Sequence, residues 1–427
     1  MKYLVLTLFA LLIFKANVCA QLTLESCQQK AQDNYPAIKK YGLIDRSLEI
    51  ELSDINKSWL PSVTAYGQGT IQNVVPAFPA ALEDVLAQMG KEVRGIGKFQ
   101  YKIGVDVSQT IWDGGASKIR REIVRSQESV QQTGLEVEMY AVRQNVDNIY
   151  FAILLTEEQI KQSNQTLDLL NANLDLLRSM LKNGTAMSSD VDMVEAQALT
   201  LKQSNTQAES TLKSYRTLLS IYVGEDVATQ ELILPSADLP AALTSDRPEL
   251  KLFDSRQNAL ETSLLMTNVS LMPKIGFFAQ AYYGYPGFDY FKSMMNRDLT
   301  FNLMAGVRVS WNIDSFYTKK NKLAKTALDI DNINIERDIF LFNSKLQTES
   351  QLETLEGLRN VMKDDAQIIE LRGNVRKAAE SQLRNGIIDA TALLSKITDE
   401  NLARLTAKFH EIQYIQEVYK IKNTLNR

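Results

Sequence analysis

The chain has 427 residues, with 47 Lys and Arg against 51 Asp and Glu and a net charge of −4. That balance argues against a nucleic-acid partner, which would call for a basic patch, and a hydrophobic content of 45% argues against wholesale disorder. One histidine, His410, and two cysteines argue against a His-based catalytic centre or a multi-Cys/His metal site, and no motif along the chain supports catalysis, so no catalytic, cofactor-binding or metal-ligating residues are expected.

Residues 1–20 read as a secretory signal. Lys2 supplies the positive start, Leu4 to Phe14 form an apolar run, and Val18-Cys19-Ala20 offers small residues for cleavage before Gln21. The run is shorter than the roughly 20 residues of a spanning helix, and Lys15 interrupts it. Cys19 as a lipidation site is the alternative, opposed by the bulk of Val18. Cleavage after Ala20 leaves Cys27 as the single thiol, without a partner for an internal disulfide. No later stretch approaches 18 uninterrupted apolar residues.

A helix is predicted over Thr23 to Ser58, ended by Pro61, which opens an extended run to Asn73. Pro76 and Pro79 mark the following stretch, up to Gln100, as an enlarged loop. From Phe99 to Trp112 apolar and polar residues alternate, the period of a strand with two unlike faces. The pattern then changes. Between Ala116 and Lys182 there is no proline, and Val142, Val146, Ile149, Ile153, Ile160, Leu167, Leu170, Leu174, Leu177 and Leu181 form a heptad-like seam. A helix of that length spans roughly 100 Å. Asn183-Gly184 stops it, Ser188 or Ser189 can cap the next helix to Tyr222, and 223–247, with Pro235 and Pro240, form a linker. The same order returns: a strand from Lys274 to Gly284, another from Phe301 to Ile313, a helix from Phe316 to Arg384, a stop at Asn385-Gly386, and a helix from Ala390 to Leu425.

Short motifs repeat with this order. Ser58-Trp59-Leu60-Pro61 matches Ser270-Leu271-Met272-Pro273, Pro36-Ala37-Ile38-Lys39 matches Pro248-Glu249-Leu250-Lys251, Gly104-Val105-Asp106-Val107-Ser108 matches Gly306-Val307-Arg308-Val309-Ser310, and Leu181-Lys182-Asn183-Gly184 matches Leu383-Arg384-Asn385-Gly386. The chain is therefore read as a signal over 1–20 and two repeats, 21–235 and 236–427. The strands have the length of tilted outer-membrane strands, for which about 9–11 residues cross the apolar core. Four strands cannot close a barrel, and an open edge in lipid leaves backbone groups unpaired, so membrane strands here require oligomerisation.

With its duplicated order of helix, proline, strand, loop, strand, long helix, Asn-Gly and helix, the chain resembles the TolC-like outer membrane efflux proteins over nearly its whole mature length. That resemblance implies a mainly α fold with membrane β-strands. Long antiparallel helical hairpins and four strands per protomer would form a homotrimer with a 12-stranded β-barrel and a periplasmic α-barrel. It also implies location in the cell outer membrane lipid, with helices extending into the periplasm. The expected partners are a periplasmic adaptor (a membrane fusion protein) and an inner-membrane transporter, in tripartite efflux or type I secretion. In the family, acidic residues just after the helical tips constrict the periplasmic entrance. Asp190 falls at the matching position six residues beyond Gly184; Asp192 and Glu195 follow. In the second half the corresponding positions are Ala392 and Ser395, a departure from the family, with Asp389 nearby. Asp190 has a second reading, as a helix N-terminal charge favoured by the macrodipole. The tips Leu181 to Thr185, including Lys182, Asn183, Gly184 and Thr185, and Leu383 to Ile387, including Arg384, Asn385 and Gly386, are candidate adaptor contacts.

Glu157-Glu158, Asp364-Asp365 and the basic run Lys319-Lys320-Asn321-Lys322 are expected on solvated helix faces. Trp59, Trp112 and Trp311 lie at strand ends, as interfacial girdle or as core. The function class competing with a conduit is a secreted coiled-coil structural or adhesive protein without a pore.

Overall fold

In the computed structural model, which describes residues 22–91, 93 and 95–427, the helix expected from Thr23 to Ser58 is broken in two. The signal segment and Cys19 lie outside the described residues. Helix α1, Leu24–Asn34, is capped by the Thr23 hydroxyl, which accepts from the Ser26 amide at 3.2 Å. Tyr35 then turns extended, as a residue before proline is forced to do, and Pro36 opens a 3₁₀ turn, Pro36–Ile38. Helix α2, Lys39–Lys57, follows, and Pro61 precedes strand β1, Ser62–Ile71. The expected loop carries a helix of its own, α3, Ala80–Gln88, begun behind Pro79. Strand β2, Phe99–Trp112, and helices α4, Ala116–Lys182, and α5, Ser188–Val223, match the expected elements closely. The second half contains α6, Pro248–Val269, β3, Lys274–Tyr285, a short α7, Tyr290–Met295, β4, Thr300–Ser310, α8, Ser315–Arg384, and α9, Ala390–Leu425. The last strand ends at Ser310, short of the expected Ile313. Its final pair is Lys274 with Ser310, and β3 cannot extend backwards because Pro273 has no amide to donate. Trp311 instead donates its indole N–H to the Leu271 carbonyl at 2.9 Å.

The described chain divides into two compact units. One comprises residues 42–131 and 254–334 and holds the four-stranded sheet, in the order β1-β2-β3-β4, antiparallel throughout. Its register sorts residues by parity. Val63, Val107, Ala279 and Ala305 share one row, and Ala65, Val105, Ala281 and Leu303 the next. Thr64, Asp106, Gln280 and Met304 lie in a row on the opposite face. One irregularity breaks the rule. A bulge at Ile111 sets Trp112 opposite Ile275, returning the indole to the odd-numbered face.

The other unit comprises 22–41, 132–253 and 335–427. In its main core, Leu24, Cys27 and Ala31 of α1 pack against Val146, Tyr150, Phe151 and Ile153 of α4, Leu219 of α5, and Ile412, Ile415 and Tyr419 of α9. The linker closes this core. Leu22 and Leu232 form a parallel bridge, and the Tyr150 hydroxyl lies 2.7 and 2.8 Å from the Ile233 and Leu22 carbonyls. Of the expected α4 seam, Val142, Val146, Ile153, Leu170, Leu174 and Leu177 are buried, but Ile149, Ile160 and Leu167 are half-buried and Leu181 is exposed. Gln162, Ser163 and Thr166 occupy the buried stripe in between. A straight helix drifts by about 20° per heptad from a 3.5-residue repeat, which rotates the seam out of register and polar residues in. Among the described residues no helix is long and apolar enough to cross a membrane.

Candidate functional site

The two helical tips are built alike. At the first, the Thr185 amide donates to the Met180 carbonyl at 2.9 Å and Gly184 takes φ +72°. At the second, Ile387 donates to Gln382 at 2.9 Å and Gly386 takes φ +71°. Both are helix ends in which a left-handed glycine lets the following amide satisfy a carbonyl of the last turn. Lys182, Asn183, Gly184 and Thr185, and Arg384, Asn385 and Gly386, are all exposed. The structure brings the tips together over one apolar cluster: Leu170, Leu174 and Leu177 of α4, Val191 and Val194 of α5, Ala379 and Leu383 of α8, and Ala390, Leu393 and Ile397 of α9. The two leucines that look equivalent in sequence differ here. Leu383 is 3% exposed inside this cluster, while Leu181 is 38% exposed outside it.

The acidic residues after the tips cap the returning helices. The serine expected to cap α5 does not do so. Ser188 is already helical, its hydroxyl pointing to Asp192 at 3.4 Å, and Met187 holds the cap position. Asp190, half-buried, accepts from the Met187 amide at 2.9 Å. In the second hairpin Asp389 is itself the cap and accepts from the Ala392 amide at 2.8 Å. The hairpins thus divide a capping box between them. One keeps the carboxylate of the third helical residue and the other that of the cap residue. This accounts for the second half carrying Asp389 where the first carries Met187, and Ala392 where the first carries Asp190. Asp192 is exposed, whereas Glu195 does not stand as free negative charge: Arg178 pairs with it at 3.1 Å.

Deeper in the same unit, Glu400 is buried between Arg376 and Arg404, the latter at 2.8 Å. Burial pushes its carboxyl up, but hydrogen bonds from the two guanidiniums outweigh this and hold it below the usual range. Asp147 is buried as well, accepting from Gln28 and, at 2.6 Å, from Asn423. There burial prevails and the carboxyl is raised. Burial also pushes the Cys27 thiol up to about 12, so this free cysteine is unreactive. Each of two pairs expected on solvated faces is corrected at one residue, while Asp364 is exposed as expected. Glu157 binds Arg216, and Asp365 lies 2.9 Å from His410 Nδ1 with both side chains largely covered. In each case the partner lies dozens of residues away on another helix, a distance that local spacing does not reveal.

On the sheet, the odd-numbered face carries exposed Val63, Ile103, Val105, Leu303, Val307 and Val309. Exposed aromatics border it. Phe99, Tyr101, Tyr283 and Phe301 lie toward the loop end, and Trp59, Trp112 and Trp311 at the helix end, so the tryptophans are not core residues of the chain. Ten residues of strand, from Phe301 to Ser310, extend roughly 33 Å. Tilted by about 40°, they rise roughly 25 Å, the height of the apolar band of an outer-membrane barrel. Both outer strands, β1 and β4, leave one edge without a partner in the sheet.

No family model and no curated protein matches the chain. Solved structures do. The outer membrane protein VceC of Vibrio cholerae is similar at TM-score 0.68 and 11% identity, over 94% of this chain and 95% of that one. The Neisseria gonorrhoeae MtrE outer membrane channel is similar at 0.66 and 12%, over 94% and 88%. The Campylobacter jejuni CmeC outer membrane channel is similar at 0.65 and 13%, over 94% and 85%. The chain has the fold of these outer-membrane channels. The resemblance to TolC-like outer membrane efflux proteins, first carried by the order of short motifs, therefore extends to the fold. What the sequence missed were relations set by packing: the burial of Leu383, the bulge that re-aims Trp112 and the carboxylates of Asp147 and Glu400. The bulge left a trace, since strict alternation would set Trp112 among the polar residues.

Proposed function

We propose that the chain is the outer-membrane channel of a tripartite efflux or type I secretion system, a passive conduit for substrates handed on by an inner-membrane transporter and a periplasmic adaptor. The observation that carries this reading is the odd-numbered sheet face. It is apolar, exposed, bordered by aromatic residues at both ends and of bilayer height, on a sheet with two open edges. A face of that kind is stable against lipid, and edges in lipid must be paired. Pairing β4 of one copy with β1 of the next preserves the antiparallel alternation, and three copies close a 12-stranded barrel. A secreted coiled-coil protein would leave the same face against water, where an apolar patch that large is costly.

The repeats 21–235 and 236–427 then each supply two strands and one hairpin. In this assembly Asp190, Asp192 and Asp389 are the periplasmic gate residues, a ring of carboxylates favouring cations. The tips are the adaptor contacts, with exposed Leu181 and Ile387 as apolar anchors beside Lys182, Asn183, Thr185, Arg384 and Asn385. The test is the native mass of protein extracted in detergent from purified outer membranes, with conductance after reconstitution. A conducting trimer supports the conduit, and a soluble monomer overturns it. Exchanging both tips for unrelated turns of equal length should abolish efflux while leaving trimers intact; normal efflux would remove the adaptor contact.

A further inference from the structure

Charge on the even-numbered sheet face is unbalanced. Lys102, Lys274 and Arg308 share that face with a single carboxylate, Asp106. Asp106 is engaged, accepting from the Gln280 amide at 2.9 Å, and the same amide donates to the Tyr66 hydroxyl at 3.1 Å. Among the described residues no carboxylate pairs with Lys102, Lys274 or Arg308. The Lys102 ammonium lies 5.6 Å from the centre of the Tyr66 ring and 5.3 Å from that of Tyr282. Aromatic faces hold a cation in place without cancelling its charge. Gly104 makes the arrangement possible, because a Cβ there would lie 2.7 Å from Tyr282 Cβ and 3.0 Å from the Tyr66 hydroxyl. Toward the loop end, Lys102 opens into a recess of about 260 Å³ lined by Gln68, Thr70, Gln100, Tyr282 and Tyr290. The Tyr282 hydroxyl donates to the Pro286 carbonyl at 3.2 Å and the Gln100 amide to Gln72 at 3.1 Å, so the walls offer the Gln68 amide and the Thr70 and Tyr290 hydroxyls as donors around one fixed positive charge.

We infer that this recess is a binding station for multivalent oxyanions, carboxylates or phosphates, near the outer end of the pore, with Lys102 as its charge. The inference rests on the proposed channel, which makes the even-numbered face the lumen. A narrow lumen of one sign concentrates the opposite ion, and several weak sites in series favour conduction over tight capture. At this end of the pore the station favours anions, opposite in sign to the carboxylate ring proposed at the periplasmic entrance.

The experiment is single-channel recording of the purified trimer in planar bilayers, with inorganic pyrophosphate or citrate added from the loop side. Wild type should show concentration-dependent block by both. Lys102→Gln should weaken that block about fivefold, the worth of one charge near 4 Å in water. Lys102→Glu should abolish it, and Lys102→Arg should retain it. Block that is unchanged in conducting Lys102→Gln and Lys102→Glu trimers overturns the station while leaving the channel standing. Absence of any conductance in wild type overturns the channel, and the station with it. Block by one probe only supports the site and assigns it to phosphates or to carboxylates.

Discussion

Asp190 caps α5 and is, in the proposed channel, a gate carboxylate; two substitutions separate the cap from the proposed gate. Asp190→Asn keeps an oxygen for the Met187 amide and removes the charge, whereas Asp190→Ala removes both. Loss of the cap should cost Asp190→Ala about 1 kcal/mol in urea unfolding, with Asp190→Asn close to wild type. Cation selectivity in bilayers should fall equally in both. Selectivity retained by Asp190→Asn would leave the residue as a cap alone. Asp147 gives a second test at this scale. Its raised folded pKa means that the folded state holds the proton more tightly than the unfolded chain, whose carboxyl titrates near pH 3.9. Stability is therefore greatest below that pH and falls as pH rises toward the folded pKa. Asp147→Asn should remove the fall, so that its urea midpoint gains on wild type between pH 4 and neutrality. Asn423 can accommodate the change, because its buried Oδ1 has no partner among the described residues and can accept from the new amide.

At the scale of elements, α8 and α9 are joined through Glu400. Its lowered pKa has the opposite sign: the stability it contributes is complete above the unfolded value near pH 4.3 and is lost as pH falls through the folded pKa. Glu400→Gln should cost about 1–3 kcal/mol at pH 7, since two guanidiniums lose a charged acceptor, and the deficit should shrink at pH 3. Equal deficits at both pH values would show that the loss comes from packing. The elements themselves were largely legible in the sequence. Alternation marked β2, and Asn-Gly marked the ends of α4 and α8, because these signals are local. What local signals could not settle was which of two competing ones prevails. Pro36 matches Pro248, yet Pro248 starts a helix while Pro36 separates two, since α1 precedes it only in the first half. Of the candidate site, the tips were legible as turns. The capping roles of Asp190 and Asp389 were legible only in part, because Ser188 and Ser189 advertised the same role, and the side-by-side packing of the tips is set by contacts some two hundred residues apart.

At the scale of the whole molecule, the two faces of the sheet should answer differently to the same charge. Val307→Lys places an ammonium on the odd-numbered face, where a midplane lysine in lipid costs about 2–4 kcal/mol per chain. Met304→Lys places one on the even-numbered face, against water. Heat-modifiable trimer in isolated outer membranes should be depleted by the first and unchanged by the second. Depletion by both, or by neither, would mean that the faces are not divided between lipid and water.

The open edges of β1 and β4 also bear on how the molecule is made. If the chain is the proposed channel, each copy before assembly would expose two unpaired strand edges beside an apolar face, the combination from which aggregates grow. Such a chain would gain from a holdase in transit. Its yield would then be set by a race between insertion and self-association on the way, and overproduction should yield inclusion material built from these four strands.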